Sequence, residues 1–225
     1  MNTNQNLMNN MKSLKQHINE KLVLNSNSKI RKQQEYIYHP KTKEELVEII
    51  KAEVEKKGWK CSLNHIDTSK ITDMSYLFSS NRFYYGYNLG KFNGDISRWN
   101  VSNVKDMRCM FLGAESFNQP IGDWDVSNVK NMSCMFKCAE SFNQPIGDWD
   151  VSKVTTMESM FDGAYLFNQP IGDWDISNVT DMRWMFYEAE SFNQDLSSWQ
   201  LKPCNGAAYI VDKCPIKDEY KPKFI

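Results

Sequence analysis

Apolar positions recur along most of this chain with a fixed period of 25 residues. The string FNQPIGDWDVSNVKNMSCMF begins at Phe117, and near-copies of it begin at Phe142 and Phe167. A period of this length predicts supersecondary units that stack on their neighbours, because one unit cannot bury its apolar side alone. The columns predicted to form the core are Trp99, Trp124, Trp149, Trp174 and Trp199, together with Phe117, Phe142, Phe167 and Phe192.

Within the unit 117–141, the FNQPI and DVSNV stretches carry β-branched and aromatic residues near every second position, which predicts short extended segments. The Gly-Asp pair at 122–123 predicts a turn between them. Met132, Met135 and Phe136 have i, i+3, i+4 spacing, which predicts one or two helical turns with a single apolar face. Proline, which cannot donate a ladder hydrogen bond, recurs in one column at Pro120, Pro145 and Pro170.

A helix is predicted ahead of the repeats. Thr42 and Glu45 form a capping box, and the helix is expected to run to about Lys57 and to end at Gly58. Its apolar stripe would cover the open end of the stack as an N-terminal cap, which repeat arrays require. The residues of that stripe are Leu46, Ile49, Ile50 and Val54.

The chain therefore divides into four predicted regions. Residues 1–35 form a flexible leader, either weakly helical or disordered, and 36–65 form the helical cap. The repeat array of about five units occupies 66–200, with an insertion at 79–91 where the spacing between equivalent positions widens from 25 to 33 residues. Residues 201–225 read as a C-terminal cap or tail.

Composition narrows the possible partners. With 225 residues, a net charge of −1 and an isoelectric point near 6.3, the chain gives no electrostatic reason to expect nucleic acid or an anionic membrane. The first thirty residues contain no apolar stretch typical of a secretory signal peptide, and no later stretch resembles a membrane span. The default expectation is a cytoplasmic location without membrane insertion.

Cysteines and histidines give little support for a metal site. No CxxC pattern occurs, and the three histidines lie outside the regular repeats. Cys109 and Cys134 lie one repeat apart, so they are expected to be free thiols in a column of small residues, with a disulfide or a shared metal as alternatives. Cys204 and Cys214 could pair in an oxidising compartment. No cofactor is predicted.

The repeat string W-D-V-S-N-V-x-x-M-x-x-M-F-x-x-A-x-x-F-N-Q-P-I, carried by residues 66–199, resembles the repeat of the BspA-like leucine-rich-repeat surface proteins. The segments PKTKEEL at 40–46 and IDTSKITDM at 66–74 also resemble members of that group. The resemblance implies a leucine-rich-repeat-like solenoid with short parallel strands and short helical turns in each coil. It also implies a bacterial, often host-associated protein that acts in surface display, adhesion or protein binding, without common catalytic residues.

Two sets of repeated polar columns are open to a structural or a functional interpretation. The Asp columns flanking each Trp could form a calcium ladder, or each Asp could bind backbone amides of its own turn. The Asn-Gln column could bind the backbone of neighbouring units, or its Gln could contribute to a polar binding surface. These columns are Asp123, Asp148 and Asp173; Asp125, Asp150 and Asp175; and Asn118, Asn143, Asn168 and Asn193, each followed by Gln.

Recognition is expected where the period fails. Two columns vary between repeats and are predicted to face solvent: Arg108, Ser133, Glu158 and Arg183, and Leu112, Lys137, Asp162 and Tyr187. This variation could reflect drift or tuning to a partner. The insertion contributes Phe83, Tyr84, Tyr85 and Tyr87, which could form an interaction loop or could simply cover the first unit.

No catalytic pattern is present. The chain lacks nucleophile–base arrangements, phosphate-binding loops and a dinucleotide fingerprint. The sequence therefore predicts a non-enzymatic repeat scaffold that binds another macromolecule, most reasonably a protein. The alternative is a carbohydrate- or calcium-dependent binding module that uses the Trp and Asp columns. Burial of the five tryptophans would exclude a sugar platform there.

Overall fold

The computed structural model describes residues 36–80, 87–201 and 209–224. Helix α1 spans Lys43–Lys57 and confirms the predicted helix. The Thr42 hydroxyl accepts a hydrogen bond from the backbone N–H of Glu45 (3.2 Å), and the helix ends at Gly58, which has φ 85°. Its buried apolar residues are Leu46, Val47, Ile50 and Val54. The leader predicted at 1–35 lies outside the described residues.

A buried carboxylate holds α1 against the start of the array. The Tyr38 hydroxyl donates to Glu53 Oε1 (3.1 Å), and His65 Nε2 lies 2.9 Å from Glu53 Oε2. Lys57 pairs with the same carboxylate. Burial alone would raise the pKa of Glu53, but the hydrogen bonds from Lys57 and Tyr38 outweigh it and hold the pKa below its usual range.

Successive repeats lie side by side and are joined by parallel bridges. The N–H of Lys130 donates to the carbonyl of Lys105 (2.9 Å), and the N–H of Met107 donates to the carbonyl of Asn131 (2.9 Å). This pattern is that of a parallel pair, and it is a single bridge at each step rather than a longer strand. The bridged pairs are Asp73–Asp106, Asp106–Asn131, Asn131–Thr156 and Thr156–Asp181.

The segment that follows each bridge, termed the Met–Phe segment (107–114, 132–139, 157–164 and 182–189), consists of turns where the apolar spacing predicts helical turns. The N–H groups of Cys134 and Phe136 donate to carbonyls in the next repeat (2.8 and 2.9 Å). The N–H groups of Met135 and Lys137 instead donate to carbonyls three residues back (both 3.2 Å). An α-helix would direct every N–H along its own axis. Here alternate N–H groups bond across repeats, and Cys134 takes a positive φ of 54°.

Two columns of phenylalanine run through the array. The Phe136 ring lies 5.5 Å from Phe111 and 5.7 Å from Phe161, all nearly parallel, and it stacks at 3.9 Å on Phe142 of the second column. The predicted core columns are all buried, and the indole N–H of each tryptophan in them donates to a backbone carbonyl. Since buried N–H groups need acceptors, each tryptophan both fills the core and links one repeat to the preceding one.

Glycine is required in one column because backbones approach closely there. A Cβ on Gly147 would lie 2.5 Å from the carbonyl oxygen of Pro170 in the next repeat. Gly122 and Gly172 meet the equivalent carbonyls at 2.5 and 2.3 Å. The sequence predicted only a turn at these glycines. The structure shows that glycine is also needed there because the backbones of two repeats come into contact.

We expect Gly147→Ala to lower the free energy of unfolding by about 1–3 kcal/mol, because the added methyl would force the backbones of two repeats apart. Urea denaturation of the full chain measures this effect. The matched control is Asp148→Ala at the adjacent exposed position, where a change within about 0.5 kcal/mol is expected. Equal stability of both variants would show that the close approach is not a constraint.

The repeat geometry continues beyond Trp199. The N–H of Phe186 donates to the carbonyl of Ile210 (2.9 Å), and Tyr209 takes a positive φ of 57°, as Cys134 does in its own repeat. Strand β1 (Gln200–Leu201) pairs in parallel with β2 (Lys223–Phe224), and a short 3-10 helix spans Asp218–Tyr220. Residues 209–224 thus extend the ladder by a shortened further unit.

Candidate interaction surface

The predicted aromatic loop is only partly within the described residues. Phe83, Tyr84 and Tyr85 lie outside them. Tyr87 is described, and it packs partly buried against the core with Lys51 Nζ 5.6 Å from its ring centroid. Burial, followed by the charge of Glu44, raises the pKa of Tyr87. Tyr87 therefore contacts helix α1 and covers the start of the array.

The carboxylates of the Asp125 column accept hydrogen bonds within their own turns. Asp125 Oδ1 accepts hydrogen bonds from the N–H and the hydroxyl of Ser127 (3.1 and 2.6 Å), and Asp150 and Asp175 accept equivalent backbone bonds. This confirms the local interpretation for the column. The column of Asp123, Asp148 and Asp173 is exposed. Within residues 36–80, 87–201 and 209–224, no group of three or more His, Cys, Asp or Glu is arranged to hold a metal ion.

The hydrogen bonds in these turns should make the stability of the folded chain sensitive to acid. Hydrogen bonds from Ser152 hold the pKa of Asp150 below its ordinary value of 3.8, and Ser177 does the same for Asp175. A carboxyl whose pKa is lowered by folding contributes stability above its unfolded pKa and loses that contribution as pH falls through its folded pKa. Asn100 already occupies this column and accepts the N–H of Ser102 (3.1 Å).

We therefore expect the variant D150N/D175N to match the wild type in thermal stability near neutral pH. Between about pH 4 and pH 2 its melting temperature should fall less steeply than that of the wild type. The control D148N/D173N changes two exposed carboxyls and should retain the wild-type acid dependence. Thermal melts across this pH range, followed by circular dichroism, test the idea. Identical slopes for D150N/D175N and wild type would contradict it.

The Asn column links neighbouring repeats, which confirms its predicted structural role. Asn143 Oδ1 accepts the backbone N–H of Asn168 (3.0 Å) and the side-chain amide of Gln169 (2.8 Å). The same pair of bonds recurs one repeat earlier and one repeat later. Each Gln side chain is therefore engaged with the preceding Asn.

The two variable columns carry most of the ionic contacts between repeats. Lys137 Nζ lies 2.6 Å from Asp162, and Arg183 lies 3.4 Å from Glu158. Most of these side chains are exposed or half-buried. Ser133 is the exception: its prediction as solvent-facing is wrong, since it is 7% exposed and its hydroxyl lies 2.8 Å from that of Thr156.

Exposed aromatic residues gather toward the C-terminal repeats. Trp184 is 36% exposed and stacks with Tyr209, which is 58% exposed, at 6.3 Å. Arg183 lies 5.5 Å from the Trp184 ring, and Lys213 lies 4.6 Å from the ring of Tyr187. Trp184 was not predicted as a surface residue, although it is out of phase with the other repeat tryptophans in the sequence.

A known protein family matches most of the chain. The family described as "Mycoplasma protein of unknown function, DUF285" matches residues 49–164 and, in a second match, residues 121–219. The chain belongs to the DUF285 family. The two matches overlap, as expected where one repeat pattern can be aligned in more than one register. No curated protein and no solved structure matches the chain.

The cysteines of this DUF285 chain are free thiols wherever they are described. Cys109 is buried, and its sulfur accepts a hydrogen bond from the Cys134 thiol, which with burial raises the pKa of Cys134. Cys204 lies outside the described residues, and Cys214, its possible disulfide partner, is a free thiol. Among the described helices, none combines the length and apolar character needed to cross a bilayer.

Proposed function

We propose that this DUF285 protein is a non-enzymatic repeat scaffold that binds another protein through the outward side of its Met–Phe segments. The observation that carries this proposal is the contrast between columns. The Trp, Phe and Asn columns, which are buried or bonded between repeats, are nearly identical from unit to unit. The outward positions differ and include the exposed Trp184. Aromatic and Arg side chains on a rigid support are typical of protein interfaces.

The architecture we propose is a leucine-rich-repeat-like solenoid of the BspA-like kind. The single parallel bridges at each step support it, as does the ladder of Asn side chains. A solenoid presents its repeats at a constant spacing, so equivalent outward residues form rows along one side. The surface-protein, adhesion or host-interaction role belongs to the same proposal and rests on the resemblance of the repeat string.

The alternative module, binding carbohydrate or calcium, has less support, because the Trp column and one of its two Asp columns are engaged within the fold. Sugar stacking needs an exposed aromatic face, yet the tryptophans from Trp99 to Trp199 in the core column are 2–4% exposed. Calcium binding needs several free carboxylate oxygens close together. Asp125, Asp150 and Asp175 each use an oxygen within their own turn.

Site-specific photo-crosslinking tests the proposed function. In the first variant, a benzophenone amino acid replaces Glu158 on the outward side. In the matched control it replaces Asp150, which accepts the backbone N–H of Ser152 in its own turn. The full chain is then irradiated in bacterial and host-cell lysates. We expect discrete protease-sensitive adducts from position 158 and none from position 150. Adducts equally abundant at both positions, or adducts destroyed only by nuclease, would contradict a protein-binding surface on this side.

A further inference from the structure

One pair of exposed residues differs from the equivalent pairs in the other repeats, and packing of the core does not require the difference. We name the positions 115–116, 140–141, 165–166 and 190–191 the Glu–Ser column, because three of the four pairs are Glu-Ser. The fourth pair is Tyr165–Leu166, with exposures of 37% and 54%. Contiguous exposed apolar surface that is rimmed by polar residues is a feature of protein interaction sites.

The backbone of this pair remains in register with the other repeats. The N–H of Leu166 donates to the carbonyl of Glu140 (3.2 Å), as the N–H of Ser141 donates to that of Glu115 (3.0 Å). The N–H of Ser191 donates in turn to the carbonyl of Tyr165 (3.1 Å). The geometry therefore accepts Glu-Ser or Tyr-Leu equally, and folding gives no reason for the apolar pair.

Among the residues that the structure describes, the charges around the pair have no ionic partner. Glu115, Glu140 and Glu190 are exposed, and none of their carboxylates has an ion pair or hydrogen bond within the described part of the chain. Other acidic side chains of this side are paired, for example Glu188 with Lys213 at 2.7 Å. The pKa of Tyr165 is raised, by burial first and then by the charges of Glu140, Glu188 and Glu190. An apolar pair thus lies between carboxylates that have no partner among residues 36–80, 87–201 and 209–224.

We propose that Tyr165 and Leu166 anchor a basic peptide segment of a partner protein that carries an apolar side chain. The inference rests on the proposed function and specifies the partner's chemistry. The apolar side chain would cover Tyr165 and Leu166, and two cationic side chains would pair with Glu140 and Glu190. Neighbouring parallel chains lie about 4.8 Å apart, so the backbones at Glu140 and Glu190 are about 10 Å apart. This is close to one turn of a polyproline II segment, in which side chains i and i+3 share a face. The same carboxylates repel phosphate groups of nucleic acids and anionic lipids.

Three labelled peptides with a common Gly-Ser frame test this proposal by fluorescence anisotropy with the full chain. Their cores are Lys-Leu-Leu-Lys, Glu-Leu-Leu-Glu and Lys-Ser-Ser-Lys. We expect the first to bind most tightly, at least about tenfold more tightly than the other two, with an affinity that falls as salt rises.

The informative variant is Y165E/L166S, which restores the residues of the other three repeats and is therefore expected to fold. It should weaken binding of the Lys-Leu-Leu-Lys peptide at least about tenfold, and E140Q/E190Q should weaken it and flatten its salt dependence. Ile37→Ser, which changes a residue 66% exposed at a different position in the chain, is the control and should leave the affinity unchanged.

The proposal is overturned if the acidic peptide binds as well as the basic one, if Y165E/L166S retains full affinity, or if none of the peptides binds. The cross-linking experiment distinguishes these outcomes from a failure of the proposed protein-binding function. Cross-linking at position 158 together with a negative peptide result would leave the protein-binding role standing and would remove only the basic-segment assignment. Loss of the cross-link as well would remove both.

Discussion

Replacing Phe136 with alanine should be among the most destabilising single substitutions in this chain, at a cost of about 3–5 kcal/mol in the free energy of unfolding. The side chain is fully buried. Its ring packs against Phe111 and Phe161 in the neighbouring repeats and against Phe142 beside it. Truncation leaves a cavity bordered by three repeats, and stacked rings on both sides limit how far the site can collapse.

Urea denaturation at neutral pH measures this effect. Phe136→Leu keeps most of the apolar volume and should cost less than the alanine variant. Tyr165→Ala is the matched control, because it removes an aromatic ring that is 37% exposed and should change stability by about 0.5 kcal/mol or less. If Phe136→Ala cost no more than Tyr165→Ala, the stacked phenylalanine columns would not be the source of stability.

The 25-residue period allows the buried residues to be predicted from sequence. Positions such as Trp124, Phe136 and Phe142 recur unchanged, and each is buried. The helix was equally predictable, because Thr42 and Glu45 are local signals that act within one turn. In both cases the information lies either in the repetition itself or in a few adjacent residues.

The backbone of the Met–Phe segments could not be predicted in the same way. Apolar residues at Met132, Met135 and Phe136 fit a helix, and the same spacing also fits the observed turns. The decisive partners are carbonyls of the next repeat, such as Met160, which accepts the N–H of Phe136. Local spacing contains no information about acceptors that are 24 residues away in the chain.

The glycine column has a similar explanation. Gly147 resembles an ordinary turn glycine in the sequence, and only the position of the Pro170 carbonyl reveals the close approach. The prolines of the neighbouring column cannot donate a ladder bond in any structure, because they have no backbone N–H. What the sequence could not provide is the distance between backbones of adjacent repeats, which depends on how the whole array stacks.

The candidate surface was predicted in part. The variable columns were recognised because Arg183 and its equivalents differ between repeats, but the burial of Ser133 depends on its contact with Thr156 in the next repeat. Trp184 and Tyr165 were not predicted. Their signals are different: Tyr165 replaces Glu in an otherwise uniform column, and Trp184 is out of phase with the other repeat tryptophans.

The 25-residue unit is the element that stacks, and bonds between equivalent positions set its register. Deleting residues 122–146 joins Ile121 to Gly147 and removes one whole period. Every remaining Phe, Trp and Asn then meets an equivalent neighbour. Deleting residues 122–133, about half a period, brings polar positions opposite buried ones and leaves buried polar groups without partners.

The most direct test compares the thermal unfolding of these two deletion variants with that of the wild type, followed by circular dichroism and tryptophan fluorescence. We predict that the variant lacking 122–146 unfolds cooperatively, with a moderately lower melting temperature and its tryptophans still shielded from acrylamide. The variant lacking 122–133 should have no cooperative transition and exposed tryptophans. Similar behaviour of the two variants, whether both fold or both fail, would contradict the 25-residue stacking unit.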